Sequence, residues 1–267
     1  MSKIYAISDI HGFYDEMKDT LSLVDLKTDS TNKLIFCGDY IDRGPSSFEV
    51  LGYIKKLEEK YPDQVEVLIG NHDQMFLDFM FGDDLLQWIS DDSELRTTKS
   101  FFTSNDEFKE LLKKAITGHS YERMSSFFKD SLKRNHEELL SWLWDKRNNF
   151  YYETSQQIYV HAGIVELPNI WKTSTPPEDF TWKRPEGKNI SFSKDIVAGH
   201  SFSYLVANDI SFLGKIFYDN SHFFIDGATV VSGRIPLLKY DTKNKIYTSF
   251  EKDDNDNWNE VVIKKYD

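Results

Sequence analysis

The chain has 267 residues, 40% of them hydrophobic and 15% aromatic, and a formal net charge of −12 at pH 7. A polypeptide of this length and composition buries a substantial core, as one large domain or two small ones, which excludes wholesale disorder. The negative charge disfavours a nucleic-acid-binding protein, because contact with phosphate backbones requires a basic face. The same charge is compatible with a site that binds cations.

The amino-terminal sequence MSKIYAISDIHG contains only a short first apolar segment, IYAI. We therefore expect no signal peptide, and no run in the chain approaches the ~18 apolar residues of a membrane span. The single cysteine, Cys37, ends the apolar run LIFC and is interpreted as a small buried side chain. Because one cysteine forms no intrachain disulfide, the sequence predicts a cytoplasmic protein. The negative charge and the lack of a long apolar run predict neither a nucleic acid nor a membrane as a partner.

Strand-like and helical segments alternate in the first third of the chain. The strand-like segments KIYAIS, KLIFC and QVEVLI each end in a polar loop that contains glycine: DIHG, GDYIDRGP and GNHD. Between them, apolar residues recur at helical spacing, namely Met17, Leu21 and Val24, and then Val50, Leu51, Ile54 and Leu57. This alternation predicts a βαβαβ unit with parallel strands, whose carboxyl ends lie side by side and bind ligands.

From about residue 77 to residue 150 the sequence is typical of helices. The segments TSNDEFKELLKKAI and RNHEELLSWLWDK have helical periodicity. Ser104 with Glu107, and Asn135 with Glu138, have the spacing of capping boxes at helix starts. We expect a helical insertion at about 77–150 within a single domain that spans residues 1–267.

The last hundred or so residues return to short strand-like segments separated by turns. These segments are QQIYVHAG, DIVAGHS, HFFIDGA, IPLLKYD, KIYTSFE and NEVVIKKY. Consecutive strands with short connections favour a second, more antiparallel sheet. The fold class predicted from the whole pattern is α/β.

Side chains with metal-ligand chemistry follow five of the strand-like segments. They are Asp9 and His11, then Asp39, then Asn71 and His72, then His161, and finally His200. Oxygen and nitrogen ligands without a thiolate suit Mn²⁺, Fe or Zn²⁺ better than Ca²⁺ or an iron–sulfur cluster. A single Asp-x-His after a strand is more often a cap or a hydrogen-bonded turn than a metal site, but the recurrence of such motifs at five strand ends predicts one shared site. The set exceeds the needs of one ion, and two ions that share Asp39 as a bridging carboxylate would account for its size.

The motifs DIHG, GDYIDRG, GNHD, HAG and GHS, in this order, resemble the signature of the calcineurin-like metallophosphoesterases. The complete GDxxDRG pattern is most similar to the phosphoprotein (serine/threonine) phosphatase branch, including its bacterial members. The resemblance covers about residues 4–76 and 158–235. It implies a sandwich of two central mixed β-sheets flanked by helices.

The resemblance also implies a role for each motif residue. Asp9 and His11 would bind one metal ion and Asp39 would bridge to a second. We expect both ions to be Mn²⁺, with Fe or Zn²⁺ as alternatives. The second ion would be bound by the remaining ligands: Asn71, His161 and His200.

Four further residues would act on the substrate. His72 would be the catalytic acid, oriented by Asp42, and Arg43 would bind the phosphate. The short match FTWKR places a second phosphate-binding arginine of bacterial relatives at Arg184.

Two activities stay open on these motifs. The intact DRG sequence with Asp42 favours a serine/threonine phosphatase-like phosphomonoesterase, whose substrate is a phosphorylated protein, a peptide or a small phosphoester. The alternative is a symmetrical dinucleoside tetraphosphatase, since those enzymes share DxHG and GNHD but commonly have GDLVARG, with alanine in place of Asp42. GNHD and HAG, where eukaryotic protein phosphatases have GNHE and HGG, favour this alternative. A non-catalytic scaffold that binds phosphorylated partners is disfavoured, because no motif residue is missing.

Overall fold

A computed structural model of the chain describes residues 2–82, 88–89, 92–116, 121–184, 191–253 and 255–265. The first third contains β1 (Lys3–Ile7), α1 (Tyr14–Leu21), β2 (Lys33–Phe36), α2 (Ser47–Lys60), β3 (Val65–Val67) and α3 (Asn71–Phe81). The described middle segment contains α4 (Arg96–Ser100), α5 (Asn105–Ile116) and α6 (Tyr121–Asp145). The remainder contains β4 (Tyr151–Glu153), β5 (Gln157–Val160), α7 (Trp171–Ser174), α8 (Asp179–Trp182), β6 (Asp195–Phe202), α9 (Ser203–Ala207), β7 (Phe217–Asp219), β8 (His222–Asp226), α10 (Thr229–Ser232), β9 (Leu238–Asp241), β10 (Ile246–Lys252) and β11 (Trp258–Lys265).

The strands form a six-stranded sheet, in the order β11-β10-β9-β1-β2-β3, and a five-stranded sheet, in the order β4-β5-β6-β8-β7. In the first sheet β1 pairs with β2, and β2 with β3, in parallel. Helices α1 and α2 connect these strands, and the apolar face of α2 is buried at Val50, Leu51 and Ile54. The predicted βαβαβ unit is therefore confirmed.

The expected second sheet is confirmed, but the expectation that it is more antiparallel is wrong. Strands β5, β6 and β8 are parallel neighbours in it, and β4 and β7 pair antiparallel at its edges. Strands β9, β10 and β11 join the first sheet, where β9 is antiparallel to β1, β10 to β9 and β11 to β10. The reason lies in the connections. The segments after β5 and after β6 carry α7, α8, α9 and β7, and such long crossovers permit parallel pairing. Short turns join β9, β10 and β11, and short turns favour antiparallel pairing.

Alternation along the strands assigns their side chains to two different cores. Ala6 on β1 and Ile35 on β2 pack with Tyr159, Val197 and Phe223 of the second sheet, and Cys37 is buried in the same cluster, as predicted. Their neighbours along the strands point the other way, because successive side chains of a strand face opposite sides of the sheet. The molecule is thus a sandwich of two mixed sheets flanked by helices, as the resemblance implied.

The outer faces of the two sheets are covered by helices. Tyr5, Ile7 and Phe36 of the first sheet lie in one cluster with α1, α2, α3 and α6. Ile158 and Ile196 of the second sheet pack against the α7 and α8 segment. Among the described residues, no helix combines the length and the apolar character that crossing a bilayer requires.

The middle segment is largely helical where it is described, and one of its two predicted helix starts is confirmed. The Ser104 hydroxyl accepts a hydrogen bond from Glu107 N (3.2 Å) at the start of α5, as its spacing predicts. Asn135 does not start a helix, because α6 begins at Tyr121 and continues through this position with a kink at His136 (φ −136°). At the same position, the His136 ring lies 2.7 Å from Phe101 O.

Candidate functional site

The carboxyl ends of parallel strands from both sheets meet at one edge of the sandwich. Asp9 follows β1, Asp39 follows β2, and Asn71 opens α3 after β3. From the second sheet, His161 follows β5 directly and His200 lies near the end of β6. Hydrogen-bonding contacts join the two sets: His200 N donates to Asp9 Oδ2 (3.0 Å), and His161 Nε2 lies 2.9 Å from Asn71 Oδ1.

The backbone at these residues has an uncommon conformation. Asp9, His11, Asp39 and His200 have φ values of 54°, 49°, 58° and 60°, in the left-handed region that non-glycine residues rarely adopt. Such a conformation costs on the order of 1–3 kcal/mol per residue and persists only where the surrounding structure stabilises it. Its repetition at one edge indicates that the fold directs these side chains towards a common point.

Two glycines allow the loops to approach one another closely. Gly38 has φ +90°, and a Cβ there would lie 2.5 Å from Gly70 N. A Cβ at Gly199 would lie 2.1 Å from both Asp9 Oδ2 and Ser8 Oγ. Since no side chain fits at either place, glycine is required at 38 for two loops of the first sheet to meet, and at 199 for the second sheet to approach Asp9.

Two groups of side chains that could hold a metal ion share Asp39: His11, Asp39 and His72 form one, and Asp9, Asp39 and His161 form the other. Asp39 Oδ2 lies 3.6 Å from His11 Nε2 and 3.5 Å from His161 Nε2. Asp9 Oδ1 lies 3.8 Å from His11 Nε2 on one side, and His200 Nδ1 lies 3.1 Å from Asn71 Oδ1 on the other. This is the arrangement expected of a carboxylate between two cations.

The hydrogen bonds of two histidines determine which nitrogen faces the centre. His11 Nδ1 lies 2.8 Å from Ile41 O and His161 Nδ1 lies 2.8 Å from Cys37 O, so each Nδ1 carries the hydrogen. Each ring then directs its Nε2 at the centre. His11 Nε2 is buried and has no hydrogen-bond partner among the described residues.

These nitrogens fit a bound cation. His161 Nε2 and Asn71 Oδ1 lie 2.9 Å apart, so one cation could be bound by both atoms. Imidazole nitrogens with an outer hydrogen bond to a backbone carbonyl are typical metal ligands. The residues present therefore fit a pair of divalent ions.

The protonation states agree with this fit. Burial lowers the pKa of His11 to about 3, and burial together with His161 lowers the pKa of His200 to about 4. Both rings are therefore neutral at pH 7, as metal ligands must be. Burial alone would raise the pKa of Asp39, but the neighbouring rings of His161, His72 and His11 and the hydrogen bond from His72 N hold it below its usual range, so this carboxylate is ionised.

A second constellation lies next to the ligand cluster. His72 Nδ1 is hydrogen-bonded to Asp42 Oδ2 (2.7 Å), and Arg43 Nη2 lies 3.3 Å from His72 Nε2. Burial lowers the pKa of His72, but the Asp39 charge and the hydrogen bond to Asp42 outweigh it and raise this pKa to about 9. His72 is therefore held by one carboxylate at Nδ1, with its Nε2 beside a guanidinium.

Comparison with known proteins places this geometry in a family. A model of the calcineurin-like phosphoesterases matches residues 2–241. The chain belongs to the calcineurin-like phosphoesterase family. The sequence resemblance is thereby confirmed, and the family is one of hydrolases that act on phosphoester bonds.

Relatives of this calcineurin-like phosphoesterase include symmetrical bis(5'-nucleosyl)-tetraphosphatases. That of Klebsiella pneumoniae is 45% identical over 69 residues, which are 26% of this chain and 23% of the relative. That of Coxiella burnetii is 25% identical over 193 residues, 72% of this chain and 52% of the relative. The chain thus spans about half or less of the length of these curated relatives.

A solved structure of a protein serine/threonine phosphatase from Saccharomyces cerevisiae has the same fold. Its TM-score is 0.53 with 13% sequence identity, over 100% of this chain and 81% of that chain. At this identity the likeness shows the shared fold alone.

One predicted site residue of the phosphoesterase lies at the margin of the site. Arg184 is exposed, and its charge adds to burial and to His161 in lowering the pKa of His200. Trp182, two residues before it, lies edge-on to the His200 ring at a centroid distance of 6.1 Å and is half exposed. The FTWKR segment therefore borders the ligand cluster without entering it.

Sequence reasoning missed several residues that hold the site from behind. Asp73 accepts hydrogen bonds from Asp39 N (2.8 Å), Tyr40 N (3.0 Å) and Gly70 N (3.0 Å). Its position, three residues after the glycine that precedes α3, is the signal of a capping box and could have been recognised. Trp88 and Thr97, which contact Asp42, carry no comparable sequence signal.

Proposed function

We propose that the protein is a metal-dependent phosphoester hydrolase that acts as a phosphomonoesterase, with phosphorylated serine or threonine side chains as the substrate class. The observation that carries this proposal is the row formed by Asp42, His72 and Arg43 beside the shared carboxylate of Asp39. It supplies an oriented acid and a phosphate-binding cation at one place.

The metal-binding role falls to six residues: Asp9, His11, Asp39, Asn71, His161 and His200. Mn²⁺ is the ion we expect, because carboxylate, imidazole and amide ligands without thiolate suit it. When bound, two such ions lower the pKa of a water molecule to near neutrality and neutralise charge on the phosphate.

The other residues act directly on the phosphoester. The Arg43 guanidinium offers a planar set of N–H donors that matches phosphoryl oxygens, a geometry that lysine lacks. His72 protonates the leaving oxygen from Nε2, while Asp42 accepts the hydrogen bond from Nδ1 and stabilises the charged ring. General acid catalysis of this kind typically contributes about 10²–10⁴ in rate. Arg184 is proposed as a second phosphate-binding residue at the margin of the site.

A substrate panel with Mn²⁺ tests this proposal. We expect release of inorganic phosphate from phosphoserine and phosphothreonine peptides, and slower release from mononucleotides, whose phosphate lacks the peptide context. Failure to hydrolyse any phosphomonoester in the presence of Mn²⁺, Fe²⁺ or Zn²⁺ would contradict it.

A second candidate function is symmetrical dinucleoside tetraphosphate hydrolysis. The relatives from Klebsiella pneumoniae and Coxiella burnetii support it, since both are symmetrical bis(5'-nucleosyl)-tetraphosphatases. The presence of Asp42 disfavours it, because those enzymes commonly have alanine there. Cleavage of a dinucleoside tetraphosphate into two nucleoside diphosphates, faster than phosphopeptide hydrolysis, would decide for this candidate.

The domain organisation and the cellular location of the protein are part of the same proposal. We infer a single catalytic domain across residues 1–267, with the helices of about 77–150 as its insertion. Helices α5 and α6 share a hydrophobic cluster with the first sheet, which supports this view. A reducing cytoplasm suits the one cysteine, Cys37, which is fully buried.

A further inference from the structure

Two side chains of the middle segment reach the carboxylate behind the catalytic histidine. Trp88 and Thr97, which we name the bracing residues, both contact Asp42. They lie 46 and 55 residues after it in the chain. Both are fully buried, so neither meets the substrate.

The Trp88 indole is held in one orientation by its neighbours. Its ring packs against Phe76 and Phe79, at centroid distances of 4.9 and 5.0 Å. In this orientation Nε1 donates to Asp42 Oδ2 at 3.1 Å and lies 3.2 Å from Oδ1. A phenylalanine would fill the same apolar space without a polar atom. The tryptophan instead directs its N–H at a carboxylate.

Thr97 makes two bonds to the same residue. Its hydroxyl donates to Asp42 Oδ1 (2.8 Å) and accepts from Asp42 N (3.0 Å). The threonine is itself fixed from behind, because Asp92 accepts hydrogen bonds from Thr97 N and Thr98 N, each at 2.9 Å. One hydroxyl therefore positions both the backbone and the side chain of Asp42.

This double contact matters because the loop is strained. Asp42 and Arg43 are consecutive non-glycine residues with φ of 70° and 67°, a conformation that must be stabilised by its surroundings. Arg96, beside Thr97, donates from Nη1 to Arg43 O at 3.0 Å. The middle segment thus supplies hydrogen bonds to both strained residues.

With three donors, the Asp42 carboxylate has one permitted orientation. Oδ2 accepts from His72 Nδ1 and from Trp88, and Oδ1 accepts from Thr97. If the bracing donors are removed, the carboxylate is free to rotate away from His72, and the imidazole loses the group that directs its Nε2.

We propose that Trp88 and Thr97 are positioning residues for phosphoester hydrolysis. They hold the Asp42 carboxylate, and this carboxylate orients the His72 ring. This inference rests on the proposed function, and it gives the middle helical segment a catalytic purpose that its sequence does not indicate. A displaced acid slows only those reactions in which the leaving oxygen needs a proton.

The test compares leaving groups in Trp88→Phe, Thr97→Val and Thr97→Ser. With Mn²⁺ present, we expect Trp88→Phe and Thr97→Val to lower kcat for a phosphoserine peptide by about 10–100-fold. For 4-nitrophenyl phosphate, whose leaving group needs little protonation, the fall should be less than about threefold. KM should be unchanged, and Thr97→Ser, which keeps the hydroxyl, should restore most of the rate.

Trp142→Phe is the matched control. It deletes an indole N–H that donates to Glu58 (2.7 Å) on α2, so we expect wild-type kinetics with both substrates. In an Asp42→Asn background, Trp88→Phe should cause no further fall in kcat, because the group through which it acts is already lost.

The possible failures are distinguishable. Wild-type protein that hydrolyses no phosphoester overturns the proposed function. Active wild-type protein with unchanged leaving-group dependence in Trp88→Phe and Thr97→Val overturns the bracing role alone. Equal losses with both substrates also overturn it, since they indicate general damage to the fold.

An NMR measurement on the protein without substrate tests the proposal even if Trp88→Phe or Thr97→Val does not fold. The indole Nε1–H of Trp88 should give a hydrogen-bonded, slowly exchanging NMR signal that shifts in Asp42→Asn and is unmoved in Glu58→Gln. If the Trp88 Nε1–H signal does not shift in Asp42→Asn, the inference is overturned without any measurement of activity.

Discussion

Asp39 is the residue on which both halves of the polypeptide converge. Its Oδ2 lies within 3.6 Å of His11 from the first sheet and 3.5 Å of His161 from the second, and its Oδ1 accepts from His72 N (3.0 Å). The carboxylate is buried yet ionised, because histidines and backbone N–H groups surround it. At this scale, chemistry depends on single atoms, so single substitutions are the appropriate tests.

Asp39→Asn should remove the shared ligand. The amide keeps the shape but loses the negative charge that two cations require, so we expect activity to fall by more than the about 10–100-fold typical of losing an outer-shell partner. Elemental analysis should show loss of at least one of two bound Mn²⁺. Full metal content with undiminished turnover would contradict the bridging role.

His72→Asn should separate proton donation from the other functions of the site. We expect kcat to fall by about 10²–10⁴ for an alkyl phosphate, whose leaving oxygen needs a proton, and far less for an aryl phosphate with an acidic phenol. Steady-state kinetics on both substrates provide the measurement. Equal losses on the two would show that His72 is not the acid.

At the scale of elements, β6 shows how a strand delivers a ligand. Its pairing with β8 is interrupted between Ala198 and Phe202, and His200 has φ 60° within this irregular stretch. The irregularity directs His200 towards the first sheet, and Gly199 lets the strand approach Asp9 closely. The ligand thus depends on a local departure from regular β-structure.

Gly199→Ala tests that dependence. The added Cβ would lie 2.1 Å from Asp9 Oδ2, so Asp9 must move, and we expect weaker Mn²⁺ binding and a loss of about 1–3 kcal/mol in the free energy of unfolding. Calorimetric titration with Mn²⁺ and denaturant unfolding measure the two effects.

Gly52→Ala is the matched control for this substitution. Gly52 lies inside α2 with no atom within 4 Å of the added Cβ, and there alanine should stabilise the protein by about 0.5–1 kcal/mol. If both substitutions behave alike, the close approach at Gly199 has no functional weight.

At the scale of the whole molecule, the proposed ions would lie between the two sheets. The first sheet contributes Asp9, His11, Asp39 and Asn71, and the second contributes His161 and His200. A ligand that binds only when both sheets are in place stabilises the native state by RT ln(1 + [L]/Kd), which is about 2.7 kcal/mol at 100 Kd.

Removal of metal should therefore affect folding as well as catalysis. Dialysis against a chelator should abolish activity and lower Tm, and added Mn²⁺ should restore both, with Tm rising as the Mn²⁺ concentration rises. Differential scanning calorimetry beside an activity assay makes the comparison. Activity that survives complete metal removal would contradict the metal-dependent mechanism. A Tm that does not change with the Mn²⁺ concentration would contradict the proposal that both sheets bind the ions.

The sequence by itself determined the chemistry of the site and much of its scaffold. Short motifs such as DIHG and GNHD indicate candidate ligands and turns within a few residues, and alternating periodicity predicts the βαβαβ unit, because both depend on local backbone geometry. For the same reason the candidate ligands Asp9, Asp39 and His161 were recognised from their positions at strand ends.

Only the tertiary structure decided which strands share a sheet and what stands behind the catalytic residues. The final three strands joined the first sheet, and Trp88 and Thr97 came to rest against Asp42. Neither outcome leaves a local pattern, because each depends on how surfaces distant in the chain fill space against one another. Packing is a property of the whole molecule, and short-range sequence signals do not contain it.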